Sequence, residues 1–260
     1  KTGEPYLFST TYDRGEEGYL CTDPMIMLFT PRCYHQFKET IDSRPNSVVK
    51  LIENTEDKKG IENFLGTAFY LDGALGAFFN SKEVSIAASV LVPKPDFSDL
   101  PEIQVPVMNP DVVRWMLLMG QLDSPTTEDE EVIYKLYYKF FSMAVPKAKF
   151  LLPLEAASGF PEGGQEGNSF VLEESAKFNI PTGEGKNGRK SVPVFTDWKR
   201  LRMVFDEKWN GMIENAGNMI EFFDYAINPT EYHEAGAYVS LTAFRDMQNI
   251  CEEQEGRAQD

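Results

Sequence analysis

The chain has 260 residues, with 41 acidic against 25 basic side chains, so its formal net charge is −16. Such a charge repels both the phosphate backbone of nucleic acids and anionic membrane surfaces, which weighs against either partner. Hydrophobic residues make up 42%, which excludes general disorder and indicates one large or two ordinary domains.

The cysteine and histidine content argues against a disulfide scaffold and against a zinc site. Cys21, Cys33 and Cys251 are an odd number, and with only His35 and His233 they show no metal-ligand spacing. We therefore expect reduced thiols in a cytoplasmic protein, with no metal and no cofactor. No apolar run reaches the roughly 18 residues that a membrane helix needs.

The first 92 residues predict a small mixed sheet with flanking helices. Thr30-Pro31 suits a helix start, and a short helix is expected at 60–65. Strands are predicted at 6–10, 25–29, 48–52, 68–71, 77–79 and 84–92. Four prolines then mark residues 93–106 as a linker, because proline removes backbone donors and disfavours helix.

The remaining residues repeat the mixture of helices and strands. Helices are predicted after Asn109-Pro110-Asp111, Thr126-Thr127 and Thr196-Asp197, where capping side chains precede apolar faces. A further short helix is expected near 242–250, and residues 219–226 are compatible with either a strand or a short helix. Strands are predicted at 149–154, 169–172, 177–180, 191–195 and 237–241.

Two stretches of the chain place similar elements in the same order. Each has a strand ending in an apolar–Phe–Thr corner that opens a helix: Leu28-Phe29-Thr30 in one, Val194-Phe195-Thr196 in the other. Each then has a strand ending at asparagine, Asn80 or Asn228, and a final strand. This predicts an α+β fold of two tandem related modules, each a mixed β-sheet flanked by helices. The modules are residues 1–92 and 107–250, joined by the linker 93–106 and followed by a frayed tail, 251–260.

The second stretch resembles the N-terminal domain of the enhanced-serine-sensitivity SseB family over residues 107–245. The resemblance lies in the two opening helices, the strand at 150–153, the corner at 188–198 and Asn228-Pro229. Residues 1–92 match more weakly, because Ser81 rather than proline follows Asn80 and the opening helices are missing. The family has no established catalytic residues to transfer, so the resemblance implies this fold and a non-catalytic role.

The segment from Gly183 to Gly188 literally satisfies the GxGxxG pattern of dinucleotide-binding loops. That role requires a helix directly after the glycines, so that its amides face the pyrophosphate. Here the segment 189–195 ends in the apolar run 192–195, which has two β-branched valines and contains Pro193. The sequence therefore favours a hairpin turn in which the glycines adopt positive φ.

A local basic cluster between 186 and 202 is the one place that could attract an anion in so acidic a chain. The alternative is a set of solvated charges, which is the commoner role of such runs. Together with the Phe–Thr corner and the Asn–Pro turn, this cluster predicts a ligand-binding set. Its members are Lys186, Arg189, Lys190, Thr196, Arg200 and Asn228. We expect Phe195 to be core, Thr196 a helix cap and Asn228 a turn former.

These observations predict a binding or regulatory protein that engages a protein or a small anionic ligand, without catalytic residues. His233-Glu234 does not extend to a zinc-protease motif, because Ala237 stands where the second histidine is needed. The alternative is an enzyme that acts on a small anionic substrate through the 186–202 cluster. Tandem modules also offer sheet edges for pairing, so a homo-oligomer is possible.

Overall fold

The computed structural model describes residues 4–9, 11–13, 19–21, 23–42, 49–80, 84–101, 104–156, 177–185, 188–218, 223–232 and 235–257. The predicted strand at 169–172 and the candidate Lys186 lie outside these residues. The chain divides into two compact units, Lys1–Pro95 with Val113–Phe140 (unit 1) and Asp96–Val112 with Phe141–Asp260 (unit 2). The predicted modules were inferred from the similarity of two stretches of sequence, whereas these units are the parts of the chain that pack together. The borders of the modules therefore stay a prediction.

The described residues form small sheets and helices of very different length. The strands are β1 Thr11–Asp13, β2 Tyr19–Cys21, β3 Met25–Leu28, β4 Gly76–Phe79, β5 Val84–Ala87, β6 Lys149–Ala156, β7 Phe178–Asn179, β8 Gly183–Glu184, β9 Lys190–Val194, β10 Asn210–Asn215, β11 Asp224–Ile227 and β12 Ala237–Val239. The helices are α1 Pro31–Asp42, α2 Gly60–Tyr70, α3 Ala88–Leu91, α4 Pro110–Leu122, α5 Glu128–Ala144, α6 Trp198–Val204 and α7 Leu241–Arg257. The predicted α+β fold class is confirmed.

Unit 1 contains a three-stranded sheet in which β4 lies between β3 and β5. β3 is parallel to β4, with Leu28 opposite Phe79, and β5 is antiparallel to β4. A parallel pair needs a crossover, and the intervening chain contains α1 and α2. Unit 1 also contains a separate antiparallel pair, β1 and β2. The predicted strand at 6–10 is reduced to one antiparallel bridge between Phe8 and Met25.

The helices of unit 1 are positioned by apolar packing and by local caps. Trp115 of α4 stacks on Phe140 of α5, with ring centroids 4.6 Å apart. At the start of α5 the Glu130 amide donates to the Thr127 hydroxyl at 3.2 Å, and the Thr127 amide donates to the Glu130 carboxylate at 3.2 Å. This reciprocal arrangement satisfies amides that have no partner within the helix. The predicted helix start is confirmed.

Unit 2 is built on two sheets that meet at one bridge. In the larger sheet β11 is parallel to β9 and antiparallel to β12, while β8 pairs with the other edge of β9. In the smaller sheet β6 lies between β10 and β7. Leu151 of β6 and Phe195 exchange both backbone hydrogen bonds, at 2.8 and 2.9 Å. Both residues belong to the core, with Val107 and Leu201 packed around them.

Several predicted elements differ from the observed ones. Residues 68–70, predicted as strand, complete α2, because Leu65, Ala68 and Phe69 form one buried helical face. A short apolar run does not distinguish these states. The predicted strand at 84–92 ends after Ala87, where α3 begins, and residues 49–52 form no strand.

The C-terminal prediction is also corrected. The helix expected near 242–250 extends to Arg257, so the predicted frayed tail is helical that far. The predicted hairpin is confirmed, since Glu184 pairs with Lys190 in antiparallel strands. Of its described glycines, Gly188 has a positive φ of +72°, whereas Gly183 and Gly185 do not. Among the described residues, none of the helices combines the length and the apolar character that crossing a bilayer requires.

Gly76 is required by a close approach between β4 and β5. A Cβ at this position would overlap the carbonyl oxygen of Ile86. We expect Gly76→Ala to lower the free energy of unfolding by about 2 kcal/mol, measured by urea denaturation, because backbone atoms must move apart.

Gly66 provides the matched control for this substitution. It lies inside α2 with open space around it. Gly66→Ala should therefore raise the stability by about 0.5–1 kcal/mol through helix propensity. Equal urea midpoints for wild type and Gly76→Ala would contradict the close approach.

Candidate functional site

The ends of β9 and β11 are joined by a side chain rather than by the ladder alone. The Asn228 amide donates to the Val194 carbonyl at 2.8 Å. In return the Thr196 amide donates to Asn228 Oδ1 at 2.9 Å. Asn228 has φ of +46°, a left-handed conformation that asparagine tolerates better than most residues. The predicted turn-forming role of Asn228 is thus confirmed.

The same asparagine also connects the loop before β12. Its Nδ2 donates to the Ala235 carbonyl at 3.0 Å and lies 3.0 Å from the Thr196 hydroxyl oxygen. Gly236 permits this approach, because a Cβ there would lie 2.8 Å from the Asn228 carbonyl oxygen. Asn228 therefore holds three chain segments together from a buried position.

Helix α6 begins at a buried ion pair. Asp197 is the N-cap, and its carboxylate accepts from the Arg200 amide at 3.0 Å and from Arg200 Nη1 at 2.6 Å. The Thr196 hydroxyl donates to the same carboxylate at 2.7 Å. The prediction that Thr196 caps the helix is therefore corrected: Thr196 supports the cap, and Asp197 provides it.

A further polar side chain reaches this corner from before α4. Asn109 Nδ2 donates to the Thr196 carbonyl at 2.8 Å and to the Lys149 carbonyl at 2.6 Å. Its Oδ1 accepts from the Lys149 amide at 3.2 Å. The sequence suggested only a local helix cap for Asn109, since nothing in its neighbourhood indicates partners 40 and 87 residues away.

Unit 1 has a corner of similar construction. The Asn80 amide donates to the Leu28 carbonyl at 3.0 Å, and the Thr30 amide donates to Asn80 Oδ1 at 3.2 Å. Asn80 has φ of +48°. Here the Thr30 hydroxyl itself accepts from the Cys33 amide at 3.4 Å, and Thr30 is exposed.

A second polar cluster in unit 2 surrounds Asp224 at the start of β11. This buried carboxylate accepts from Arg189 Nε at 3.2 Å, from the Leu241 amide at 2.9 Å and from the Tyr238 hydroxyl. Burial alone would raise the pKa of Asp224, but these hydrogen bonds and the Arg189 charge hold it below its ordinary value. Burial and the Asp224 charge raise the pKa of Tyr225 to about 12, which keeps that phenol neutral.

The structure thus divides the predicted ligand-binding set. Thr196, Arg200 and Asn228 come together, but they are buried and bonded within the corner. Arg189 and Lys190 lie exposed at the hairpin that leads into β9. The predicted role of the whole set in binding stays a prediction. Sequence reasoning missed Asp224 and Tyr238, since neither has a motif and their partners are distant along the chain.

The two clusters differ in what they can do chemically. The Thr196 corner satisfies its polar groups internally and positions α6, which is a scaffold role. The Asp224 cluster instead leads outward to an exposed guanidinium. In the described part of the chain, no group of three or more His, Cys, Asp or Glu side chains is placed to hold a metal ion.

Comparison with known proteins gives one finding. The family model of the SseB protein N-terminal domain matches residues 139–221. The match extends from the second half of α5 to the segment before β11 and includes the Thr196 corner but not Asn228. The resemblance read from the sequence is confirmed over this segment. No curated protein and no solved structure matches the chain significantly.

Asn228→Ala removes the side-chain bonds of the unit 2 corner and leaves alanine in a left-handed conformation. We expect it to lower the free energy of unfolding by about 3 kcal/mol, measured by urea denaturation. Asn228→Gly should cost about 1 kcal/mol less, because glycine relieves the conformational part. Asn80→Ala is the matched comparison and should cost less than Asn228→Ala, since water can replace its bonds to the exposed Thr30. An equal cost for the two alanine variants would contradict the difference in burial.

Asp224 should make stability depend on pH in the acid range. Its folded-state pKa lies below the ordinary value of 3.8, so its contribution is present above that pH and is lost as the pH falls through the folded-state pKa. When the free energy of unfolding is measured by urea denaturation between pH 2 and 7, the acid limb is its decrease at the lowest pH values. Asp224→Asn should make this acid limb less steep and should lower the free energy of unfolding at neutral pH. Asp246→Asn, which removes an exposed carboxyl on α7, is the control for the loss of one negative charge. An acid limb of wild-type steepness in Asp224→Asn would contradict this assignment.

Proposed function

We propose that the chain is a non-catalytic binding or regulatory protein composed of two tandem SseB-like modules, residues 1–92 and 107–250. The observation that supports this most is the recurrence of one corner in both units. In each, a threonine amide at the end of one strand donates to the side chain of a left-handed asparagine at the end of its parallel neighbour.

The sheets around the two corners support a common origin. β3, β4 and β5 follow the same order and directions as β9, β11 and β12. Leu28 opposite Phe79 corresponds to Val194 opposite Ile227, one residue before the asparagine in each central strand. In both units a helix begins directly after or near the third strand, α3 or α7.

The differences between the corners support specialisation of unit 2. Pro31 and Tyr34 stand in unit 1 at the positions that Asp197 and Arg200 hold in unit 2. Unit 1 therefore has no counterpart of that buried ion pair at its described corner. The family match also falls mainly in unit 2. We place the binding role there, on the exposed hairpin rather than on the buried corner.

The proposed partner is a protein or a small anionic ligand rather than nucleic acid or a membrane. A net charge of −16 disfavours both polyanionic surfaces. In the part of the chain that the structure describes, Cys33 and Cys251 are not joined in a disulfide, which supports the proposed cytoplasmic location. Assembly into a homo-oligomer through sheet edges remains part of the proposal.

The alternative of an enzyme that uses the whole 186–202 cluster finds less support. Such a site needs its cations to converge on a substrate. Arg200 is fully buried against Asp197, so its charge is already compensated inside unit 2. A substrate would have to displace a structural pair to reach it.

A metabolite screen of the full chain separates the two functions. Pools of carboxylate- and phosphate-bearing metabolites are incubated with the protein, while melting temperature and metabolite composition are followed together. We expect ligands or added partners to raise the melting temperature without being converted. Time-dependent product formation that scales with protein concentration, and that one point substitution abolishes, would overturn the proposal.

A further inference from the structure

Arg189 occupies an unusual position for a surface arginine. Its side chain is 49% exposed, whereas the carboxylate that holds it, on Asp224, is 2% exposed. The charge pair thus has a buried half and an outward half. Among the residues that the structure describes, Nε is the one guanidinium nitrogen with an acceptor, Asp224 Oδ1 at 3.2 Å.

The buried half of the pair is rigidly fixed. Asp224 also accepts from the Tyr238 hydroxyl on β12 and from the Leu241 amide at the start of α7. A Cβ at Gly185 would collide with the Tyr238 hydroxyl, so Gly185 packs directly on that phenol. Residues of β11, β12 and α7, together with Gly185, therefore determine where the Arg189 side chain is held.

The outward half presents a planar pair of donors. A guanidinium has five N–H groups in a fixed fork, which matches the two oxygens of a carboxylate or phosphate. Within the residues that the structure describes, no acceptor is placed on the two Nη groups of Arg189. The neighbouring Lys190 is exposed and adds a second positive charge.

We propose that Arg189, positioned by Asp224 and Tyr238, binds the oxyanion of a small ligand end-on through its Nη groups. The ligand is a carboxylate or a phosphate ester, since both offer paired oxygens. The inference rests on the proposed binding role and assigns it to one side chain. If Arg189 binds no oxyanion, the proposed binding role can still hold, with a protein as the partner.

An ordinary surface ion pair explains the geometry less well. Exposed pairs contribute little to stability, and a pair made through Nε alone does not use the planar fork of donors that distinguishes arginine from lysine. At a net charge of −16, long-range attraction does not concentrate anions at this surface. The affinity for the anion must therefore come from the local geometry of the guanidinium. Replacing the Arg189 guanidinium should raise the dissociation constant more than removing the neighbouring Lys190 charge does.

The experiment titrates the full chain with inorganic phosphate and, separately, with acetate at constant ionic strength and pH 7. The readout is the ¹H–¹⁵N signal of the Arg189 Nε–H group, assigned by its absence in Arg189→Lys. Dissociation constants of the variants come from isothermal or backbone-amide titrations. The tighter of the two probes identifies the oxyanion.

Four variants distinguish the hydrogen-bonding geometry of the Arg189 guanidinium from its positive charge. Arg189→Lys keeps the charge and should weaken binding roughly tenfold, as should Arg189→Gln. Lys190→Gln removes the same charge one residue away and should change the dissociation constant by less than about twofold. Tyr238→Phe should weaken binding severalfold and shift the Nε–H signal, even where its melting temperature stays at the wild-type value.

Three results would overturn the proposal. One is the absence of saturable binding of both probes to the wild type. Another is binding by Arg189→Lys as tight as that by wild type. The third is an equal loss in Arg189→Gln and Lys190→Gln, which would reduce the site to diffuse charge.

Discussion

The fold of each unit depends on how two parallel strands end beside one another. A parallel ladder stops where the chains diverge, and the amide after the last pair then has no ladder partner. In unit 2 the side-chain carbonyl of Asn228 takes the place of that missing partner for the Thr196 amide. Asn80 does the same for Thr30 in unit 1. Both asparagines adopt positive φ, which turns the chain away while the side chain reaches back.

Burial explains why the polar groups of the unit 2 corner need partners from within the unit. Thr196, Asp197, Arg200 and Asn228 are each at most 1% exposed, so every polar atom left unpaired would be costly. Asn109 and the Asp197–Arg200 pair supply partners from within the unit. Thr30 is exposed, and water can serve the same groups, so unit 1 tolerates Pro31 where unit 2 has Asp197. The polar network of the unit 2 corner is thus a consequence of its burial.

The sequence reveals the parts of the fold that are local. The β8–β9 hairpin and the capped start of α5 each combine residues close together in the chain, and these predictions were correct. At the Phe–Thr corner of unit 2, Phe195 is core as expected, but Asp197 rather than Thr196 caps α6. The strand predicted at 68–71 was wrong, because a short apolar run fits a buried helix face equally well. Asn109 and Asp224 act through partners far along the chain, which local pattern cannot indicate. The predicted site grouped residues by sequence proximity and therefore mixed the buried Arg200 with the exposed Arg189.

Native-state hydrogen exchange at the Thr196 amide tests the central role of the asparagine contact most directly. Its reference is the Phe195 amide, which donates to the Leu151 carbonyl in the core of the same unit. If Asn228 closes the end of the parallel pair, the Thr196 amide should exchange with the same opening free energy as Phe195, through unfolding of the unit as a whole. Exchange of Thr196 through a local opening of much lower free energy would show that the contact does not hold the strands, and would contradict the account.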